Sequence, residues 1–430
     1  MKKIVVTNCW SFYNKGDAAI AIATVNLISK LIHDVEITLL AVDAESFHKH
    51  EECFDTKIEI LPMIHMIQPF SVIFAMYTAV SHILRGLTSA LGLAYLILQI
   101  SLFPFVRLKK DALDRVLTRV ESADLVVAVG GNYLYSNRSL FNHLLILFYA
   151  KFVKKRRVLL LGHSIGPFRD KVGALIAKYL LIHVDAVVFR EELSYKYIIS
   201  NISKDINALV SGDLAFLLPS PSRIEPDQVP SIGVSLRKWF HRDPRLFRKY
   251  LNAMKGTVMD IVEEGHWVYL MPFSYLDGAE DDVTVCRSFL MEIPDELRNR
   301  VELVDLRELS PNEITAMMCK LNIRIFIATR LHSAILASLS NIPSVIISYQ
   351  HFKAHGISAQ LGLNEYVIRI DEADRNDVYE KFINLYKDLD ESKKILAESV
   401  EDTKSKIYTS SSGIIRKMIY GIYAAEEQLT

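Results

Sequence analysis

Short apolar runs of strand length alternate along this chain with longer segments of helical period, and no other feature constrains its fold as much. In the first half the runs are Lys3–Asn8, Val35–Val42, Asp124–Gly131, Arg157–Gly162 and Asp185–Arg190. In the second they are Ser231–Arg237, His266–Pro272, Arg300–Leu306, Ile323–Thr329 and Pro343–Tyr349. Such an alternation specifies βαβ units and parallel sheets with helices on both faces. Between the halves, Pro219, Pro221, Pro226 and Pro230 fall in one short span that can continue neither helix nor central strand, so it reads as a linker. The expected architecture is α/β, with two Rossmann-like domains facing across a cleft. The expected domains are 1–220 and 231–374, and a charged helical segment, 375–430, crosses back to the first. An apolar insertion, about 61–108, interrupts the first domain after its second strand.

Composition narrows the function classes. The chain carries 50 Lys plus Arg against 50 Asp plus Glu, so no global field draws it to nucleic acid, and any anion site must be local. Cys9, Cys53, Cys286 and Cys319 are scattered, without CxxC pairs or zinc spacing, and read as reduced thiols of a cytoplasmic protein. The start, MKKIVVTN, has too short an apolar part for a signal peptide and reads as a first strand. The uncharged run Gly86 to Val106, closed by Arg107, Lys109 and Lys110, leaves three readings open: packing on the domain, peripheral contact with a membrane face, or spanning. Gln99, Pro104 and two glycines count against spanning.

In open parallel sheets, ligands bind beyond the carboxyl ends of the strands, where loops meet helix N-termini. In IRIFIATRLHSAILASL the strand ends near Thr329, which sets Arg330 and His332 in the turn before an Ala/Leu-rich helix. The next strand ends near Tyr349, so Lys353 emerges from the adjacent loop. Arg offers a planar fork for carboxylate or phosphate, Lys a movable charge and His a proton donor or acceptor. The trio therefore points to a small-anion site. Asp17 follows the first strand and reads either as an N-cap or as a carboxylate that handles a hydroxyl, while Gly16 is a turn residue. Gly130, Gly131 and Asn132 close one buried strand, and Gly162, His163 and Ser164 close another, which allows close approach of a ligand to the backbone. Arg190 and Arg237 stand at further strand ends, as site residues or as members of surface or interdomain ion pairs. Neither a GxGxxG nor a GxxxxGK[ST] element occurs.

In order along the chain, NKGDAAI (Asn14 to Ile20), VGGNYL, GHSIGPF, FREELS, SGDLAF, GVSLR and RLHSAILASLSNIPSVIISYQHFKAHG resemble the motifs of the polysaccharide pyruvyl transferase family. The resemblance extends over about Asn14 to Gly362. It implies a fold similar to the two-domain glycosyltransferases of the B type. It also implies transfer of the pyruvyl group of phosphoenolpyruvate to a sugar as a ketal, with no cofactor beyond that donor. Arg330, His332 and Lys353 would then hold the donor, with Arg190 or Arg237 assisting. His332 and Asp17 would be the catalytic pair. Asn14, Gly16, Gly131, Asn132, His163 and Ser164 fall in the matched motifs as substrate contacts. Four features depart from the family pattern: Asn132 for a third glycine, His163 for glutamine, Glu191 for aspartate after Arg190, and DLAF without the usual proline. Rival expectations are a nucleotide-sugar glycosyltransferase on the same fold and a non-catalytic glycan-binding protein. The sugar acceptor, its free or lipid-linked form and the oligomeric state stay open.

Overall fold

A computed structural model describes residues 1–83, 88–107, 111–137, 139–222, 229–238, 244–278, 281–349 and 351–421. The chain divides into two compact units. One is Met1–Phe12 with Ile20–Leu214 and Lys406–Thr430; the other is Tyr13–Ala19 with Ala215–Ser405.

Among the described residues of the first unit, eight strands form one parallel sheet: β1 (Lys2–Cys9), β2 (Val35–Ala41), β3 (Glu59–Pro62), β4 (Leu125–Ala128), β5 (Gly131–Leu134), β6 (Arg157–Ile165), β7 (Ala186–Phe189) and β8 (Ala208–Val210). Their order is β3-β2-β1-β4-β6-β7-β8, with β5 added on β6. β4 and β7 are buried along their whole length, as strands covered on both faces must be. The registers Val6 to Leu39 and Val6 to Val127 lock β1 between β2 and β4.

The second unit holds β9 (Ser231–Ser235), β10 (Trp267–Leu270), β11 (Val301–Leu303), β12 (Ile323–Ala328), β13 (Ser344–Ser348) and β14 (Val367–Arg369). The order β11-β10-β9-β12-β13-β14 is the doubly wound arrangement of a Rossmann sheet. Its switch point, where the winding reverses, lies between β9 and β12, which pair in the register Val234 to Ile327.

All ten runs expected from sequence are strands: β1 and β6 run one to three residues beyond the expected ends, and the other eight are trimmed by one to three residues at one or both ends. Four more strands went unseen: β3, β5, β8 and β14, of three or four residues each. They lie beside longer strands, so pairing supplies the order that such short apolar runs cannot signal. β3 also takes the start of the expected apolar insertion into the sheet. The remainder of that insertion is two helices, Phe70–Ile83 and Thr88–Arg107. The C-terminal segment holds the helices Arg375–Lys387 and Leu389–Tyr420.

Candidate functional site

In the second unit the described candidates gather at the switch point. Arg237 follows β9, Arg330 and His332 follow β12, and Tyr349 follows β13. Arg330 is the N-cap of the helix Leu331–Leu339, which sets His332 in its first turn. Ser235 Oγ, at the end of β9, accepts from the backbone N–H of Thr329 at 3.1 Å and lies 2.8 Å from Ser333 Oγ. The GVSLR and RLHS segments are therefore fastened to each other.

The segment Tyr13–Ala19 belongs to this same unit and lies along the loop after β10. The Lys15 N–H donates to the Phe273 carbonyl at 2.9 Å, and the Tyr275 N–H donates to the Tyr13 carbonyl at 3.0 Å. Lys15 is wholly buried, and its ammonium donates to the carbonyls of Arg307 and Leu309 at 2.6 and 3.0 Å. A buried ammonium is tolerable only with such partners. Gly16 then meets His332: a Cβ on Gly16 would stand 2.1 Å from His332 Nδ1, so only a glycine lets the ring lie there. Gly16 and Asp17 are not the expected turn residue and N-cap, because the helix already begins at Lys15; they are the second and third residues of Lys15–Leu31, and Asp17 is half-buried in its first turn.

Arg330 is buried and held bidentately by Asp282, with Nε to Oδ2 at 2.9 Å and Nη2 to Oδ1 at 2.7 Å. Asp282 is itself fully buried and also accepts from the Phe273 N–H at 3.3 Å. One carboxylate thus joins the Arg330 turn to the loop after β10, against which Lys15 rests. Arg237 stands over the Tyr349 ring, its guanidinium carbon 4.0 Å from the ring centroid. Lys353 stands in the helix His351–Gln360, but its side chain lies outside the described residues.

The first unit brings together the other candidates at the carboxyl edge of its sheet. Gly131 and Asn132, expected to close the strand that is β4, are instead the first residues of β5, and Gly131 is in register with His163 on β6. Gly130 and Gly162 allow this: a Cβ on Gly130 would meet the Gly162 carbonyl at 2.4 Å, and Gly162 has φ +77°. The Tyr133 hydroxyl donates to the Val129 carbonyl at 2.6 Å and lies 2.7 Å from His163 Nε2. With the hydroxyl proton spent on Val129, the His163 proton sits on Nε2, and Nδ1 is a buried acceptor with no partner among the described residues. Burial, with Arg190 nearby, pushes the His163 pKa down to about 3, so the ring is neutral. His143, stacked on Tyr133 at 4.4 Å, is pushed down to about 3 as well, first by burial.

Arg190 donates to Ser164 Oγ at 2.7 Å and to Asp213 at 2.8 Å, and both members of the ion pair are buried. The pair is neither at the surface nor interdomain, because Asp213 belongs to the same unit. Glu191 caps the helix Glu192–Asn201 by accepting from the Ser194 N–H at 2.8 Å, a role for which a carboxylate one methylene longer than aspartate serves. Burial raises its pKa.

Sequence reasoning missed Asp282, Lys15, Asp213 and Tyr349. Lys15 and Asp213 lay inside quoted motifs, where a charged residue between strand and helix was a usable signal. Asp282, in GAEDDV, carries none.

The profile of the family described as polysaccharide pyruvyl transferase matches residues 14–351. Among curated proteins, the amylovoran biosynthesis protein AmsJ of Erwinia amylovora is 25% identical over 313 residues, covering 68% of this chain and 73% of that protein. Among solved structures, Anabaena Alr3699/HepE in complex with UDP-glucose aligns with a TM-score of 0.58 at 11% identity, over 98% of this chain and 100% of that one. S. aureus MnaA with UDP aligns at 0.60 and 12% identity, over 98% of each. At such identities these likenesses speak for the fold alone, the glycosyltransferase-B-like pairing of two Rossmann-like domains. With motifs, topology and profile in agreement, this chain belongs to the polysaccharide pyruvyl transferase family, a family of transferases.

Proposed function

We propose that the protein transfers the pyruvyl group of phosphoenolpyruvate to two hydroxyls of a sugar in a cell-surface or exported polysaccharide, or in its precursor, as a cyclic ketal. One observation carries the reading: His332, the Asn14–Asp17 segment and the cation Arg237 meet at the switch point of one Rossmann sheet, where such sheets bind anionic ligands. Arg237 and Lys353 neutralise the donor's carboxylate and phosphate. Arg330 is charge-paired with Asp282, so it fixes the turn that presents His332 rather than supplying net charge.

The proton balance is simple. His332 delivers a proton to the methylene carbon of the enol, which becomes the methyl group, and a sugar hydroxyl adds to the adjacent carbon. Asp17 orients or deprotonates that hydroxyl. The C–O bond to phosphate breaks, and a second hydroxyl closes the ketal. Of the two hydroxyl protons, one replaces that given to the methyl carbon and the other leaves on phosphate. The scheme calls for no cofactor. In the first unit, the edge bearing Gly131, Asn132, His163, Ser164 and Arg190 is assigned to the sugar, with neutral His163 as a hydrogen-bonding group and not an acid.

The test is phosphate release from phosphoenolpyruvate against a panel of glycans. His332→Ala should abolish it with the fold intact. Turnover within a few-fold of the parent would sink the assignment. The UDP ligands named for the structural neighbours keep a nucleotide-sugar transferase as the rival, and release of nucleoside diphosphate instead of phosphate would favour it.

A further inference from the structure

In the first unit, the helices Phe70–Ile83 and Thr88–Arg107 form an antiparallel pair. Phe70 meets Phe103 at 5.5 Å between ring centroids, and seven residues on, Tyr77 stacks on Tyr95 at 4.7 Å. The polarity of this pair is inverted. Gln99 is fully buried, and the Tyr95 hydroxyl donates inward to Asn142 at 2.5 Å. The outer faces are apolar: Val72, Met76 and Val80 project from the first helix, with Met76 64% exposed. Ile97, Leu98 and Phe105 project from the second, with Ile97 57% and Phe105 71% exposed. Spacings of four and eight residues on the first helix and of seven and eight on the second make continuous stripes, where a helix facing water carries charge.

Three further observations say what covers this face. The hydroxyls along it are turned onto their own helices: Thr78 donates to the Ala75 carbonyl at 2.8 Å and Ser101 to the Ile97 carbonyl at 2.9 Å. Such groups can leave water at little cost. No Asp or Glu occurs between Glu59 and Asp111, while Arg85, Arg107, Lys109 and Lys110 do. Finally, the helix Lys171–His183 packs beside the second helix and continues the character of the face, with exposed Leu175 and exposed Lys171 and Lys178 and no acidic residue. An apolar face with Lys171 and Lys178 exposed beside it, in a stretch of sequence without acidic residues, fits the boundary between the headgroups and acyl chains of an anionic bilayer.

We propose that this face docks the enzyme on an anionic lipid bilayer as an interfacial pair of helices. Among the described residues, the segment Ala90–Arg107 is long and apolar enough to cross a membrane, with mean hydropathy 1.6, and only 28% of it is buried. It does not cross, because Tyr95, Leu96, Gln99 and Phe103 are packed into the core of the unit and lipid cannot surround it. Arg107 also ties its end to Asp114 and Glu121, at 2.6 and 2.8 Å. The proposal is independent of the reaction catalysed.

The experiment is flotation of the full chain with phosphatidylcholine vesicles, with and without phosphatidylglycerol. Binding should require or strongly favour the anionic lipid. The double variant Ile97→Glu/Phe105→Glu should lose partitioning by on the order of 100-fold. Because both side chains are exposed, its thermal melting should match the parent's. A second variant, Phe105→Trp, reads insertion directly through a blue shift and quenching by brominated acyl chains. Absence of parent binding to either vesicle, or no blue shift in Phe105→Trp, overturns the proposal. So does a parent dimer in light scattering that the double variant dissociates, since a second copy would then own the face.

Discussion

Gly16 and His332, 316 positions apart in sequence, are in direct contact: the imidazole lies where a side chain on residue 16 would have to be, with Nδ1 2.1 Å from the place of a Cβ. Two motifs that look independent in the sequence are one piece of machinery. The first supplies a backbone without a side chain, and the second supplies the ring that fills the space. The GVSLR and RLHS segments are joined in the same way through Ser235 and Ser333, and FREELS and SGDLAF through Arg190 and Asp213.

Gly16→Ala should therefore act on catalysis and not on the helix it belongs to. Alanine is the better helix former, so the start of Lys15–Leu31 gains if anything, while the methyl group displaces the His332 ring. A displacement of about 1 Å at a reacting group costs on the order of 100-fold in rate. Phosphate release should fall by about that factor, with circular dichroism and melting near those of the parent. Retention of full activity would show that the ring has no fixed place in the reaction.

Asp282→Asn tests the buried pair. The substitution keeps size and one acceptor but removes the carboxylate charge that pairs with the buried Arg330. Breaking such a pair from one side destabilises by about 3–5 kcal/mol. Denaturant unfolding should show the loss, and the variant should also lose activity, because the same carboxylate holds Phe273 in the loop against which Lys15 rests.

Much of this arrangement was legible because strand ends are legible. Once the apolar runs were placed, the residues just beyond them had to lie at the carboxyl edges of two parallel sheets, and Arg237, Arg330 and His332 do. The partners of those residues were not legible. Asp282 begins a helix far from Arg330 in sequence, and only the fold makes it the mate of that arginine. Gly131 and Asn132 read in sequence as the close of one strand, whereas β4 stops at Ala128 and pairing with His163 and Ile165 on β6 orders Gly131–Leu134 as a strand of its own. The inverted polarity of Thr88–Arg107 was half visible: composition revealed the apolar run, but not that Gln99 faces inward and Phe105 outward.

Acid stability should report the buried imidazoles. His143 and His163 are both pushed down to about 3, first by burial, whereas in the unfolded chain each titrates near 6.5. Below about pH 6.5 the unfolded state therefore binds protons that the folded state refuses until about pH 3. Stability falls as pH falls through that window, by about 1.4 kcal/mol per pH unit for each ring. Denaturation midpoints compared between about pH 7 and pH 5 should show this slope. His163→Gln should reduce it by one ring's share, and an unchanged slope in that variant would place the proton uptake elsewhere.

Arg237 is the cation whose role in donor binding can be separated from folding. It is half-buried and stacked on Tyr349, and that contact contributes about 0.5–2 kcal/mol. If its N–H edge neutralises the donor, Arg237→Ala should lower kcat/KM for phosphoenolpyruvate by about 10- to 100-fold, the size of a charge-assisted hydrogen bond. Arg237→Lys keeps the charge but has no planar face to lay on the ring, so it should recover only part of the loss. Tyr349→Leu should then resemble Arg237→Lys, because it removes the platform and leaves the charge. Phosphate release measured across phosphoenolpyruvate concentrations separates the outcomes. A rise in KM common to all three variants supports donor binding, and a Tyr349→Leu enzyme equal to the parent shows that the stacking has no part in aiming the arginine.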